Sequence, residues 1–208
     1  MNLPDTILEI AEYKEANSEL PFAYAGNNWV YDAFCERQKY CGVHNAQFLT
    51  PDATVNRMVH IAGRYFTGKN VLEPCCGTGQ ITRELLNEGY EVAAFDNDYE
   101  LVRLCSLLYP NLIVFQSDFK EYDLHVRQII ANPPYEIGAL TDFFEWLDRV
   151  QVSGGTSILL LPIGFVKKTN PKRTYNVLGK FAFLETEEMM EEFVRTKTRA
   201  EIVVLRKL

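Results

Sequence analysis

The chain has 208 residues, with 21 Lys+Arg against 28 Asp+Glu, a formal charge of -7, and 47% hydrophobic residues. This is the make-up of one soluble globular domain with room for a sizeable core. The acidic balance excludes a general electrostatic grip on nucleic acid, which needs a basic face, but not a local basic patch. No run approaches the roughly 18 apolar residues that span a membrane, and no basic-then-apolar leader opens the chain. The 5 Cys fit reduced thiols in a cytoplasmic protein better than a disulfide scaffold. Cys35 and Cys41 lie too far apart for a zinc knuckle and Cys75-Cys76 are adjacent, so no metal is expected.

Leu3 to Glu19 places Ile7, Leu8, Ile10 and Ala11 among Glu and Lys, which suits an amphipathic helix. Trp29 to Tyr40 reads as a second short helix after an Ala25-Gly26-Asn27-Asn28 turn. Residues 1–47 are therefore expected to be a short helical extension packed on a main domain at 48–208.

From Asn70 strands and helices alternate. Val71-Leu72 is a strand ending at Pro74, and Ile81 to Glu88 a helix stopped by Gly89. Glu91 to Phe95 is a strand, Tyr99 to Leu108 a helix, and Leu112 to Phe115 a strand. Arg127 to Ala131 is a strand, Leu140 to Val150 a helix, and Thr156 to Leu161 a strand. Lys180 to Leu184 and Glu201 to Leu205 read as a closing antiparallel pair, with two helical turns allowed over Glu187 to Val194. Nearly unbroken apolar strands between helices indicate a sheet covered on both faces. The expected class is α/β, doubly wound and mostly parallel, with an antiparallel C-terminal hairpin.

In such sheets ligands bind beyond the C-terminal strand ends. Four of those loops are unusual. In Glu73-Pro74-Cys75-Cys76-Gly77-Thr78-Gly79-Gln80, the glycines let main-chain N–H groups approach a ligand. The loop is no phosphate cradle, because no Gly-Lys-Ser/Thr follows. Its plain alternative is a glycine turn. Asp96 ends the next strand, where a carboxylate can accept from both ribose hydroxyls; the plain alternative is a helix cap, a task better suited to Asp98. Asp118 can accept from an adenine amino group, with Phe119 stacking on its ring; the alternative is a loop Asp.

The fourth loop, Asn132-Pro133-Pro134-Tyr135, is the most informative. The prolines fix the backbone and hold Asn132 extended. The Asn132 side chain and the Pro133 carbonyl can then accept from one planar NH₂ group, while Tyr135 stacks on the ring that carries it. Two acceptors favour a more tetrahedral, nucleophilic nitrogen without a strong general base.

The cofactor-type loop followed by Asn-Pro-Pro-Tyr resembles the class I S-adenosylmethionine-dependent methyltransferases that act on amino nitrogens. With Gln47-Phe48-Leu49-Thr50-Pro51 upstream, the order resembles the gamma group of DNA N6-adenine methyltransferases. The resemblance covers roughly Asn45 to Leu208. It implies a seven-stranded fold and S-adenosyl-L-methionine as cofactor. It further implies that Phe48, Thr50 and Pro51 hold the methionine end, that Glu73, Cys76, Gly77 and Gly79 line it, and that Asp96 takes the ribose. Asp118 and Phe119 would take the adenine, and Asn132, Pro133, Pro134 and Tyr135 the target base. DNA is the partner so implied.

Cys75-Cys76 departs from the small residues, often Ala, found there in that group. The chain also stops where such enzymes often continue into a target-recognition domain, which leaves recognition to a separate subunit or to a local patch. The obvious patch is Lys167, Lys168, Lys172 and Arg173, flanked by Phe165 and Tyr175, which can pack on an extruded base. The alternative for it is a solvated loop. Asn-Pro-Pro-Tyr also occurs in enzymes that methylate RNA base amino groups or protein glutamine amides, so both stay open as substrates. A non-catalytic cofactor-binding subunit is the reading outside the enzyme class.

Overall fold

The computed structural model describes residues 50–109, 111–166, 172–192 and 199–208. The expected N-terminal extension, Phe48, Lys167 and Lys168 lie outside them. Helix α1 (Asp52–Tyr65) precedes strand β1 (Asn70–Pro74), helix α2 (Gln80–Asn87) and strand β2 (Glu91–Asp96). Helix α3 (Tyr99–Leu108), strand β3 (Ile113–Gln116), a 3₁₀ turn (Phe119–Glu121) and strand β4 (Val126–Ala131) follow. Helix α4 (Ile137–Val150), strand β5 (Gln151–Pro162), helix α5 (Lys172–Leu178) and strands β6 (Phe181–Glu192) and β7 (Arg199–Lys207) complete the described chain.

The strands form one seven-stranded sheet in the order β3-β2-β1-β4-β5-β7-β6. β7 runs antiparallel to both β5 and β6, and the other pairings are parallel. This is the expected class. Successive residues of each strand serve opposite faces. Val71, Val92, Ala94, Ile130 and Ile158 join one core with α1 and α2. Leu72, Phe95, Ile129, Ala131 and Leu159 join the other with α4. That alternation explains why the strands read as continuous apolar runs.

Helix α1 buries Val55, Met58, Val59 and Ile61, a helical spacing that gives one apolar stripe. Its polar side is tied to β6. Arg57 donates to both Glu187 oxygens at 2.7 and 2.6 Å, and Arg64 and Tyr65 donate to Glu185 at 2.8 and 2.7 Å. These two donors hold the Glu185 carboxyl below its usual range.

The C-terminal region differs from expectation. β6 continues to Glu192, so the span 187–192 is strand and not helical turns. Pairing with β7, which extends to Glu192↔Arg199, overrides the helical preference of its glutamates. Lys172 and Arg173 open α5 instead of lying in a loop. Among the described residues no helix is long and apolar enough to cross a membrane.

Candidate active site

The strand order reverses between β1 and β4, which places the crevice of the fold at the ends of these two strands. Pro74 ends β1, and a run of left-handed residues follows: Cys75 at φ 57°, Gly77 at φ 56° and Gly79 at φ 76°. A non-glycine residue in that region is uncommon and is held there by its surroundings. The Cys76 N–H donates to the Phe95 carbonyl at 3.0 Å, and the Gly79 N–H to the Cys76 carbonyl at 2.9 Å. The loop is thus stitched to the end of β2.

The two glycines have different reasons to be glycine. A Cβ on Gly77 would meet nothing within 4 Å, so the backbone there borders open space. A Cβ on Gly79 would come within 2.8 Å of the Tyr109 ring and 3.0 Å of Cys105 Sγ. Gly79 therefore admits Cys105 of α3 and the Tyr109 ring that follows it. The Cys105 thiol donates to the Gly77 carbonyl at 3.2 Å. Cys76 and Cys105 are both buried. Its contact with Cys105 and its burial push the Cys76 thiol up, and burial does the same to Cys75. These are packing thiols, not nucleophiles.

Glu73 is 1% exposed at the end of β1. The Thr82 hydroxyl on α2 donates to it. Burial, reinforced by the Asp96 carboxylate, pushes the Glu73 carboxyl up to about 8. Asp96 lies where expected, but both its oxygens are engaged. Oδ2 accepts from the Gly77 N–H at 2.9 Å and Oδ1 from the Asp98 N–H at 3.0 Å. Asp96 thus fixes the glycine loop and the turn that leads into α3. Burial pushes its carboxyl up as well.

Two aromatic residues are placed otherwise than expected. Phe119 is a core residue: its ring packs on Phe143 and Trp146 at centroid distances of 5.5 and 5.9 Å. The neighbouring Asp118 caps the 3₁₀ turn, accepting from the Lys120 N–H at 2.9 Å. Phe165 is also core, stacked on Phe144 at 5.7 Å and 6°, so it offers no free ring to an extruded base. Tyr175 is 72% exposed and retains that option. The aromatic residues of α4 capture both phenylalanines, which outweighs the loop position that made them look accessible.

At the end of β4, Pro133 is buried and Asn132, Pro134 and Tyr135 are half-buried. The Tyr135 ring packs on the core that contains α1, and burial pushes its phenol well up. Asn132 Nδ2 donates to Thr50 Oγ1 at 3.1 Å. The Thr50 N–H in turn donates to Gln80 Oε1 at 3.0 Å. The glycine loop, the Thr50-Pro51 stretch and the Asn-Pro-Pro-Tyr stretch are therefore joined by hydrogen bonds. Gln80 and Thr82 were not singled out by sequence. Their place in the first turn of the helix after Gly79 was the available signal. Among the described residues no group of three or more His, Cys, Asp or Glu is placed to hold a metal.

No protein-family model matches the chain. Over 151 residues, 62% of this chain, it is 26% identical to ribosomal RNA small subunit methyltransferase H of Bartonella quintana (strain Toulouse), and the match covers 46% of that protein. The chain spans about half the length of the curated relatives it matches. A Listeria monocytogenes protein named as a class I S-adenosylmethionine-dependent methyltransferase superposes with a TM-score of 0.70 at 18% identity, over 96% of this chain and 74% of that one. The 23S rRNA methyltransferase ErmE superposes with a TM-score of 0.60 at 21% identity, over 78% of this chain and 70% of that one. The fold is that of the class I S-adenosylmethionine-dependent methyltransferases, and S-adenosyl-L-methionine is the cofactor that goes with it.

The residues present fit that cofactor. The open space beside Gly77 leaves room for it, the left-handed run turns the loop around that space, and the Asp96 carboxylate stands at the adjoining strand end.

Proposed function

We propose that this chain transfers a methyl group from S-adenosylmethionine to the exocyclic amino nitrogen of a base in RNA. One observation carries the reading: the Asn132 amide, followed by Pro133, is tied through Thr50 to Gln80 at the end of the glycine loop. Acceptors for an amino group thus stand beside the loop that suits the cofactor. Glu73, Cys76, Gly77, Asp96 and Asp118, with Phe48, Thr50 and Pro51, would hold S-adenosylmethionine, which when bound supplies an activated methyl group.

The protein's own part is positioning and polarisation. Asn132 Oδ1 and the Pro133 carbonyl accept the two amino hydrogens of the base and raise the nucleophilicity of its nitrogen. Tyr135 stacks on the ring. The surplus proton leaves to solvent, so no buried base is required.

RNA is preferred over DNA because the relative and the neighbour named for a substrate are both ribosomal RNA methyltransferases. DNA adenine is the second reading, favoured by the Phe48-Leu49-Thr50-Pro51 stretch, and Lys167, Lys168, Lys172 and Arg173 are the candidate phosphate contacts in either case. The test is transfer of a labelled methyl group to ribosomal RNA, single- and double-stranded DNA, and a glutamine-bearing protein substrate. Transfer to RNA that is lost in Asn132→Ala is the expected result. Transfer to DNA alone would replace RNA with the second reading, and Asn132→Ala transferring as well as wild type would remove the mechanism.

A further inference from the structure

We infer that Arg149 and Trp146 of α4 are positioning residues for the adenine of the cofactor, acting through the turn that Asp118 caps; the inference rests on the reading above, in which Asp118 is a cofactor contact. The connection from β3 to β4 carries no full helix, only the 3₁₀ turn Phe119–Glu121. One short turn has little stability of its own. Its place, and that of the carboxylate that caps it, must be set from outside.

The setting comes from one face of α4. Asp142, Trp146 and Arg149 follow the spacing i, i+4, i+7 and so share that face. Asp142 Oδ2 lies 3.1 Å from Lys120 Nζ. Trp146 Nε1 donates to the Tyr122 carbonyl at 3.0 Å. Arg149 Nη2 donates to the Lys120 carbonyl at 2.7 Å, and its Nε lies 3.3 Å from Asp123 Oδ1. Two backbone carbonyls of the connection thus take their donors from the helix, and the ring of Trp146 packs on Phe119 between them.

Lys120 carries this hold to Asp118. Its N–H donates to Asp118 Oδ1 at 2.9 Å, while its carbonyl takes the Arg149 donor. The Glu121 N–H also donates to the Asp118 carbonyl at 3.0 Å. A shift of the Lys120 backbone therefore shifts the carboxylate. The bond to Lys120 uses one oxygen, and a carboxylate has a second with which to accept from an amino group. Burial first, then the carboxylates of Asp96 and Asp118, push up the Cys75 thiol, so Asp118 stands near the loop after β1. Helix α4 starts directly after Tyr135, where the Leu140 N–H donates to the Glu136 carbonyl at 2.8 Å. One helix thereby continues the acceptor loop and braces the cofactor loop.

The experiment titrates the full chain with S-adenosylhomocysteine, the demethylated cofactor, and with its 6-deamino analogue, in which purine replaces adenine. Wild type is expected to prefer the adenine form on the order of 10-fold, the worth of a hydrogen bond to a charged group. Arg149→Met keeps the aliphatic stem and removes the donors. The preference then shrinks to roughly 3-fold or less, because the carboxylate is no longer held in place. Arg149→Lys, which keeps a donor, retains more of it. Trp146→Phe, which keeps a ring in the cluster and removes the N–H, moves in the same direction as Arg149→Met. In an Asp118→Ala background the preference is already gone, and Arg149→Met changes the ratio little further.

The ratio separates positioning from plain stability. If Arg149→Met and Trp146→Phe weaken both ligands equally, or neither, the ratio stays at its wild-type value and the inference is overturned. A wild type that does not distinguish the two ligands overturns it as well, because Asp118 then receives no amino group. If Arg149→Met does not fold, Arg149→Lys and Trp146→Phe carry the same reading. The titration needs no methyl acceptor. Failure to methylate RNA or DNA would therefore remove the proposed function and leave the ratio to decide this inference.

Discussion

The Gly77 N–H donates to Asp96 Oδ2 at 2.9 Å, which joins the loop after β1 to the end of β2. The carboxylate proposed to receive the cofactor therefore also shapes the glycine loop. Asp96→Ala removes the acceptor for Gly77 and for Asp98, two hydrogen bonds to a charged group, each worth about 1.5–3 kcal/mol in general. The expected outcome is a loss of S-adenosylmethionine affinity on the order of 10-fold or more, measured by calorimetry. Unchanged affinity would show that the loop holds its shape without Asp96.

Glu73 gives the protein a pH dependence of unusual sign. Its carboxyl rises from an ordinary 4.5 to about 8 on folding, so across that window the folded chain keeps a proton that the unfolded chain has lost. Stability therefore falls as pH rises through the window, by up to about 1.4 kcal/mol per pH unit, and levels off above the folded value. Glu73→Gln cannot lose a proton and should not show this contribution. The check is the difference in denaturation midpoint between wild type and Glu73→Gln from pH 5 to 9. A difference that does not change with pH would count against a raised Glu73.

Arg57 and Glu187 test how α1 is seated. The fork geometry, with both contacts under 2.8 Å, is the favourable one for an ion pair. Both groups are about one-third exposed, which limits the gain through solvent screening. A double-mutant cycle with Arg57→Ala and Glu187→Ala should return a favourable coupling that shrinks in high salt. No coupling would mean that the buried stripe of α1, with the Arg64 and Tyr65 contacts to Glu185, seats it without this pair.

The parallel half of the sheet was legible because each of its strands carries its own signals. Val71 and Leu72 serve opposite cores, and Pro74 and Pro162 mark strand ends that no partner needs to supply. β6 was legible only in its first half. Its glutamates favour helix locally, and the arginines of α1 and the pairing with β7 that hold them extended come from distant sequence. Phe119 and Phe165 misled for the same reason, since their partners Phe143, Trp146 and Phe144 all belong to α4. The bond from Asn132 to Thr50 could not be read from the neighbours of either residue, because only the fold brings them together.

The two loop glycines should fail in different ways. Both sit at positive φ, 56° for Gly77 and 76° for Gly79, so alanine costs about 1 kcal/mol of backbone strain at either. At Gly79 the new methyl would also lie 2.8 Å from the Tyr109 ring and 3.0 Å from Cys105 Sγ. Overpacking of this kind typically adds roughly 1–3 kcal/mol, so Gly79→Ala should lower the denaturation midpoint clearly. At Gly77 the methyl meets no protein atom and instead enters the space offered to the cofactor. Gly77→Ala should therefore lose only the backbone contribution to stability, less than Gly79→Ala loses, yet bind S-adenosylmethionine poorly. Urea titrations and calorimetry on the two variants separate the effects. If Gly77→Ala binds the cofactor normally, the open side of that glycine is not where the ligand lies.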